Sequence, residues 1–147
     1  MANVVIREMH EEDLDEILKI ERMSFSTPWS EAAFLNEIHK TNSLTRVALL
    51  NNKVVGYTCV NYIHGEAHIL NLAVRPEFRR TGIATALMKD VIDKLKKKDC
   101  GFVYLEVRVS SMGARRFYER LGFKIVGVRR DYYQYPVEDA ALMMLVL

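Results

Sequence analysis

The chain has 147 residues, 50% hydrophobic and 27% charged, with 21 Lys and Arg against 19 Asp and Glu for a net charge of +2. That length suits one domain, spanning residues 1–147, with a sizeable core, and the near-neutral balance argues against a general polyanion binder. Cys59 and Cys100 form no C-x-x-C pair, the opening MANVVIREMH has no signal-peptide core, and no apolar run approaches the ~20 residues of a membrane span. A soluble, cytoplasmic protein is expected, with neither membrane nor nucleic acid as partner.

In chain order, NVVIREM reads as a short strand, and HEEDLDEILKIERMSF as a helix with Leu14, Ile17 and Leu18 at helical spacing. Its acids crowd the first turn, where the helix dipole favours them. Pro28 interrupts, and Ser30 is placed to cap a second short helix. SLTRVALL and KVVGYTCVNYI read as strands joined by Asn51-Asn52, a pair able to adopt positive φ; HGE then turns the chain into AHILNLAV, completing an antiparallel meander. From Ile83 the period changes: Ala84, Leu87, Met88, Val91, Ile92 and Leu95 form an apolar helical stripe that ends at KKKDCG. FVYLEVRV is a strand, and SSMGARRFYERLGF a helix with Ala114, Phe117, Tyr118 and Leu121 on one side and Gly122 as its stop. FKIVGVRRDYY and DAALMMLVL close the chain as two more strands. The order predicts an α+β domain.

Three places carry chemistry. RPEFRRTGIA sets Arg75, Arg79, Arg80 and Thr81 before Gly82, at the start of the long helix. The first amides of a helix have no intrahelical partners and make an anion site, and a glycine lets the backbone approach a ligand. The turn suits a pyrophosphate but is neither a G-x-x-x-x-G-K-[ST] nor a G-x-G-x-x-G motif; solvated surface arginines are the alternative. Glu106 lies mid-strand, on the face of Phe102, Tyr104 and Arg108, opposite Val103, Leu105 and Val107. A carboxylate there is either functional or one half of an ion pair with a nearby arginine. Tyr118 on its apolar stripe is by itself a core aromatic. Neither His64 and His68, flanking the HGE turn, nor any other group suggests a metal site, since no third ligand is evident. The KLKKK run is a solvated helix end.

RRTGIA resembles the acetyl-coenzyme A signature R/Q-x-x-G-x-G/A of the GCN5-related N-acetyltransferases, whose element order is the one read here. TPWSEAAF, LNLAV, LEVRVSS, FYERLGF and RRDYY followed by EDAALMML resemble the bacterial ribosomal-protein alanine N-acetyltransferases and the related N-terminal acetyltransferases, over a span from about Val4 to the C-terminus. The resemblance implies the GNAT fold: a mixed, mostly antiparallel seven-stranded sheet, with about four helices over both faces and central strands parting near LNLAV and FVYLEV. It implies that Arg79, Arg80, Thr81, Gly82, Ile83 and Ala84 wrap the coenzyme pyrophosphate. Leu72, Ala73 and Val74 would hold the pantetheine arm through their backbone. It implies Glu106 as general base and Tyr118 as the tyrosine at the coenzyme sulfur. A thiol near ~8.5 is a stronger acid than a phenol near ~10, so a hydrogen bond to the developing thiolate competes with full proton transfer from Tyr118.

Ser111 stands where relatives usually carry asparagine, and is expected to cap its helix and contact the coenzyme arm more weakly. Trp29 and the pair Tyr132-Tyr133 would flank the peptide entrance. Only four residues separate Tyr133 from Glu138, fewer than in the bacterial enzymes that the chain resembles. The implied activity is direct transfer of acetyl from acetyl-coenzyme A to an N-terminal α-amine of a protein, with a ribosomal protein as one target, and no metal. An α-amine near ~8 is roughly a quarter neutral at pH 7.5 and a lysine near ~10.4 only about 0.1%, so a modest base suffices. The alternatives are acetylation of lysine or a small amine, or a catalytically degenerate coenzyme-binding module.

Overall fold

A computed structural model describes residues 3–147. Seven strands, β1 (Val4–Glu8), β2 (Ser43–Leu50), β3 (Lys53–Ile63), β4 (Glu66–Val74), β5 (Phe102–Arg108), β6 (Lys124–Tyr133) and β7 (Glu138–Val146), form one sheet in the order β1-β2-β3-β4-β5-β7-β6. Four α-helices accompany them: α1 (Leu14–Ser24), α2 (Glu31–His39), α3 (Ile83–Lys97) and α4 (Met112–Arg120). β2, β3 and β4 form the expected antiparallel meander, and β1 pairs antiparallel with β2 at its edge. Asn51 and Asn52 both take positive φ, 52° and 64°, in the tight β2–β3 turn. Ser30 caps α2 by accepting a hydrogen bond from the Ala33 amide at 3.2 Å. Gly122, at φ 104°, ends the α4 turn.

The two faces of β3 show how the layers form. Tyr57 and Cys59 pack with Ile17, Ile20 and Phe34 beneath α1 and α2. Val55, on the opposite face, packs with Ile83 and Leu87 of α3. A strand covered on both sides reads as an apolar run, which VVGYTCV is. The α3 stripe of Met88, Val91 and Leu95 meets Val103, Leu105 and Val107 of β5, together with Tyr118 of α4. So α1 and α2 cover one face, α3 and α4 the other. The β5 alternation is as the sequence predicts, with Val103, Leu105 and Val107 buried and the residues between them half-buried.

Among the described residues β4 and β5 make the one parallel pairing in the sheet, and it is short: Glu66↔Phe102, Ala67↔Val103 and His68↔Tyr104. Beyond His68 the strands part, so the sheet opens along Ile69–Val74. The β3 register jumps from Cys59↔Asn71 to Val60↔Ile69, leaving Leu70 as an extra residue in a β-bulge at this opening. The side chain of Asn71 repairs the ladder there, its Oδ1 accepting from the Cys59 amide at 3.0 Å. Among the described residues no helix is long and apolar enough to cross a membrane.

Candidate active site

The opening between β4 and β5 joins two cavities. The larger, about 910 Å³, is lined by Leu72, Ala73, Val74, Arg79, Arg80, Gly82, Ile83 and Ala84, with Tyr118 and Arg116 from α4. The smaller, about 590 Å³, lies toward α1 and β6 and is lined by Glu106, Trp29, Tyr132, Tyr133, Ser111 and His68. Leu72 and Tyr118 line both, so the cavities meet between them.

The turn before α3 is open rather than packed. Gly82 is the N-cap at φ 90°, and a Cβ added there would meet nothing within 4 Å. The first intrahelical acceptor is Gly82 O, bonded by the Ala86 amide at 3.0 Å, which leaves the amides of the preceding turn free. Arg80 also sits in the left-handed region, at φ 62°. Arg79 is partly engaged within the protein: its Nε donates to Val74 O at 3.1 Å and its Nη2 to Ser24 Oγ at 3.3 Å. Thr81 is not among the lining residues; its hydroxyl donates to the Phe78 carbonyl and braces the turn from behind. Free helix-end amides, arginine and open space at a left-handed glycine fit a phosphate-bearing cosubstrate.

Glu106 sits in a network that the sequence did not reveal. His68 Nε2 lies 2.8 Å from Glu106 Oε1 and 3.1 Å from Oε2. The Tyr132 hydroxyl donates to Oε1 at 3.1 Å, and the His68 ring stacks on Tyr104 with centroids 4.4 Å apart. Burial pushes the Glu106 carboxyl upward, but the His68 and Tyr132 hydrogen bonds and the charge of Arg129 outweigh it and hold the group below the usual carboxylate range. The partner that sequence reasoning expected for a structural Glu106 was an arginine; the residue found there is His68. Its signal was present, a histidine six residues before Val74, but using it requires the parallel β4–β5 register.

The neighbouring groups divide between the two cavities. Tyr118 is buried at their junction, and burial followed by the nearby Tyr133 pushes its phenol well above the ordinary value, so it stays protonated. Ser111 occupies the N-cap position of α4, but its side chain makes no capping bond, contrary to expectation. It lines the smaller cavity rather than the larger. Trp29 packs on Phe34 at 5.1 Å, and its amide donates to Glu21 Oε2 at 3.0 Å. Glu21 is fully buried, accepts a further hydrogen bond from the Tyr57 hydroxyl at 2.6 Å, and was not singled out in the sequence. Tyr132 and Tyr133 pack edge to face at 5.0 Å above Glu106. Among the described residues no group of three or more His, Cys, Asp or Glu side chains is placed to hold a metal ion.

The acetyltransferase (GNAT) family model matches residues 14–123. The chain belongs to the GNAT acetyltransferase family. It is therefore an acetyl-coenzyme A-dependent N-acetyltransferase, and the seven-stranded sheet and four helices are that family's fold. The chain is 31% identical over 148 residues to a putative ribosomal protein bS18-alanine N-acetyltransferase of Bacillus subtilis, covering 99% of this chain and 97% of that one. It is 33% identical over 151 residues to an N-alpha-acetyltransferase of Saccharolobus solfataricus, covering 94% and 90%. The crystal structure of the ribosomal-protein-S18-alanine N-acetyltransferase from Escherichia coli superposes with a TM-score of 0.90 at 32% identity, covering 98% of this chain and 94% of that one.

Proposed function

We propose that this GNAT enzyme acetylates the N-terminal α-amine of a protein in the cytoplasm, a ribosomal protein being the favoured target, and that one domain spanning the chain does so. The observation that carries the proposal is the placement of Glu106. It is an ionised carboxylate on the wall of the smaller cavity, held there by hydrogen bonds from His68 and Tyr132. The relatives named for alanine or N-alpha acetylation align over nearly the whole chain and support the same substrate class.

Acetyl-coenzyme A supplies the thioester-activated acetyl group, and residues Arg79–Ala84 with the free edge of Leu72–Val74 would hold it in the larger cavity. The peptide N-terminus would enter the smaller cavity between Trp29 and the Tyr132-Tyr133 pair. Glu106 accepts the proton of the attacking amine, directly or through one water, becoming a neutral acid, and His68 Nε2 at 2.8 Å holds the carboxylate in place for it. Tyr118, held protonated, donates a hydrogen bond where charge develops on the leaving sulfur; its raised pKa favours this over full proton release.

The test is mass spectrometry of peptides incubated with enzyme and acetyl-coenzyme A. Peptides with a free α-amine and a small first residue should be acetylated, and peptides with a blocked N-terminus and a free internal lysine should react little. Equal rates on both would exclude α-amine selectivity.

A further inference from the structure

Arg108 ends β5 two residues beyond Glu106, on the same face of the strand. Its guanidinium makes four hydrogen bonds to two separate segments. Nη1 donates to Pro136 O at 2.9 Å and to Glu138 Oε1 at 3.2 Å. Nη2 donates to Gln134 O at 3.0 Å and to Ser26 Oγ, on the α1–α2 loop, at 3.4 Å. The guanidinium carbon also lies 4.4 Å from the centre of the Tyr133 ring.

We infer that Arg108 is the positioning residue that assembles the peptide entrance, tying both of its walls to the strand that carries Glu106. The inference rests on the assignment of the smaller cavity to the peptide. The β6–β7 turn has no apolar anchor of its own: Gln134–Val137 are all exposed, with Tyr135 at 78% and Val137 at 60%. The β6–β7 register is irregular from Arg129 to Tyr133, and Tyr133↔Glu138 is the pair that leads into the turn. Ser26 lies in an equally exposed run of the α1–α2 loop. The β6–β7 turn and the exposed 25–28 stretch leading up to Trp29 must otherwise be ordered when the substrate binds, at the expense of affinity.

One planar fork with five donors meets two carbonyls, a carboxylate and a hydroxyl at once, which a lysine ammonium cannot do in that geometry. Glu138 completes the brace, its Oε2 accepting from the Ser110 amide at 2.7 Å, and it balances the arginine charge. The two side chains remain 20% and 18% exposed, so their ion pair is partly screened and the carbonyl bonds carry the order. Arg108 lines the smaller cavity and not the larger, so its effect falls on one substrate.

The test is steady-state kinetics of the full chain with acetyl-coenzyme A and a free-amine, alanine-initiated peptide, comparing wild type, Arg108→Met, Arg108→Lys and Ser26→Ala. The peptide KM should rise at least ~10-fold in Arg108→Met, with the acetyl-coenzyme A KM within about twofold of wild type. Arg108→Lys keeps the charge opposite Glu138 and should recover only part of the loss. Ser26→Ala removes one tie from an exposed site and should raise the peptide KM by a smaller factor, about two- to fivefold. A peptide KM within twofold of wild type in both Arg108→Lys and Ser26→Ala, or a proportional rise in both KM values, overturns the inference. A wild-type enzyme that ignores the free-amine peptide overturns the functional assignment as well, whereas an active wild type with indifferent variants overturns the role of Arg108 alone.

Discussion

The Glu106 side chain is only 5% exposed, and burial by itself would hold its proton on. Two hydrogen-bond donors, His68 and Tyr132, reverse that tendency, so the carboxylate persists below the usual carboxylate range and remains ionised throughout the neutral region. The wild-type rate should therefore fall on acidification because the substrate amine gains a proton, well before Glu106 does. Glu106→Gln preserves shape and removes the charge, so kcat should drop by roughly 10²–10⁴ while acetyl-coenzyme A affinity holds. The residual rate should climb with pH as the amine becomes neutral. Calorimetry for affinity and a pH–rate profile check both halves, and wild-type turnover in the Gln variant at pH 7 would make Glu106 a structural residue.

At the scale of elements, the turn from Arg79 into α3 is the informative one. Its glycine sits at φ 90°, a conformation that a β-branched residue adopts only with strain, and its missing Cβ points into open space rather than at protein. Gly82→Val therefore has no core to disturb and should leave the circular dichroism spectrum intact. Acetyl-coenzyme A should bind at least ~10-fold more weakly, because either the turn rearranges or the added methyls stand in the ligand's approach. An unchanged dissociation constant in the folded variant would remove this turn from phosphate binding. The β4 bulge works alongside it: Leu70 breaks the regular ladder where the strand must present its free edge to the opening.

At the scale of the whole molecule, the sheet parts where two cavities meet at Leu72 and Tyr118, and this geometry favours direct transfer between two bound substrates. Neither thiol is fitted to carry the acetyl group in between. Cys59 is fully buried and burial pushes its thiol well above the ordinary range, and burial likewise raises Cys100. Intact-mass spectrometry after incubation with acetyl-coenzyme A alone should thus show unmodified enzyme, and initial-rate plots against both substrates should intersect. A stoichiometric acetyl-enzyme that a peptide discharges would contradict direct transfer.

Local order was legible in the sequence because it is set between chain neighbours. The α3 stripe, the Ser30 cap, the Asn51-Asn52 turn, the Gly82 start and the alternation around Glu106 all depend on spacings of a few residues, and each is found in place. What the tertiary structure alone decided are the pairings between distant strands. His68 reaches Glu106 across 38 positions only because β4 and β5 run parallel in one register. The terminal strand β7 inserts between β5 and β6, which carries Tyr132 to Glu106 and lets Arg108 grip a turn 26 to 28 residues away. Ser111 lines the smaller cavity for the same reason, since the path of a loop follows from how its flanking elements pack. Strand register is a property of the whole sheet, fixed by the sum of its packing, and a one-residue slip would turn each of these side chains to the opposite face.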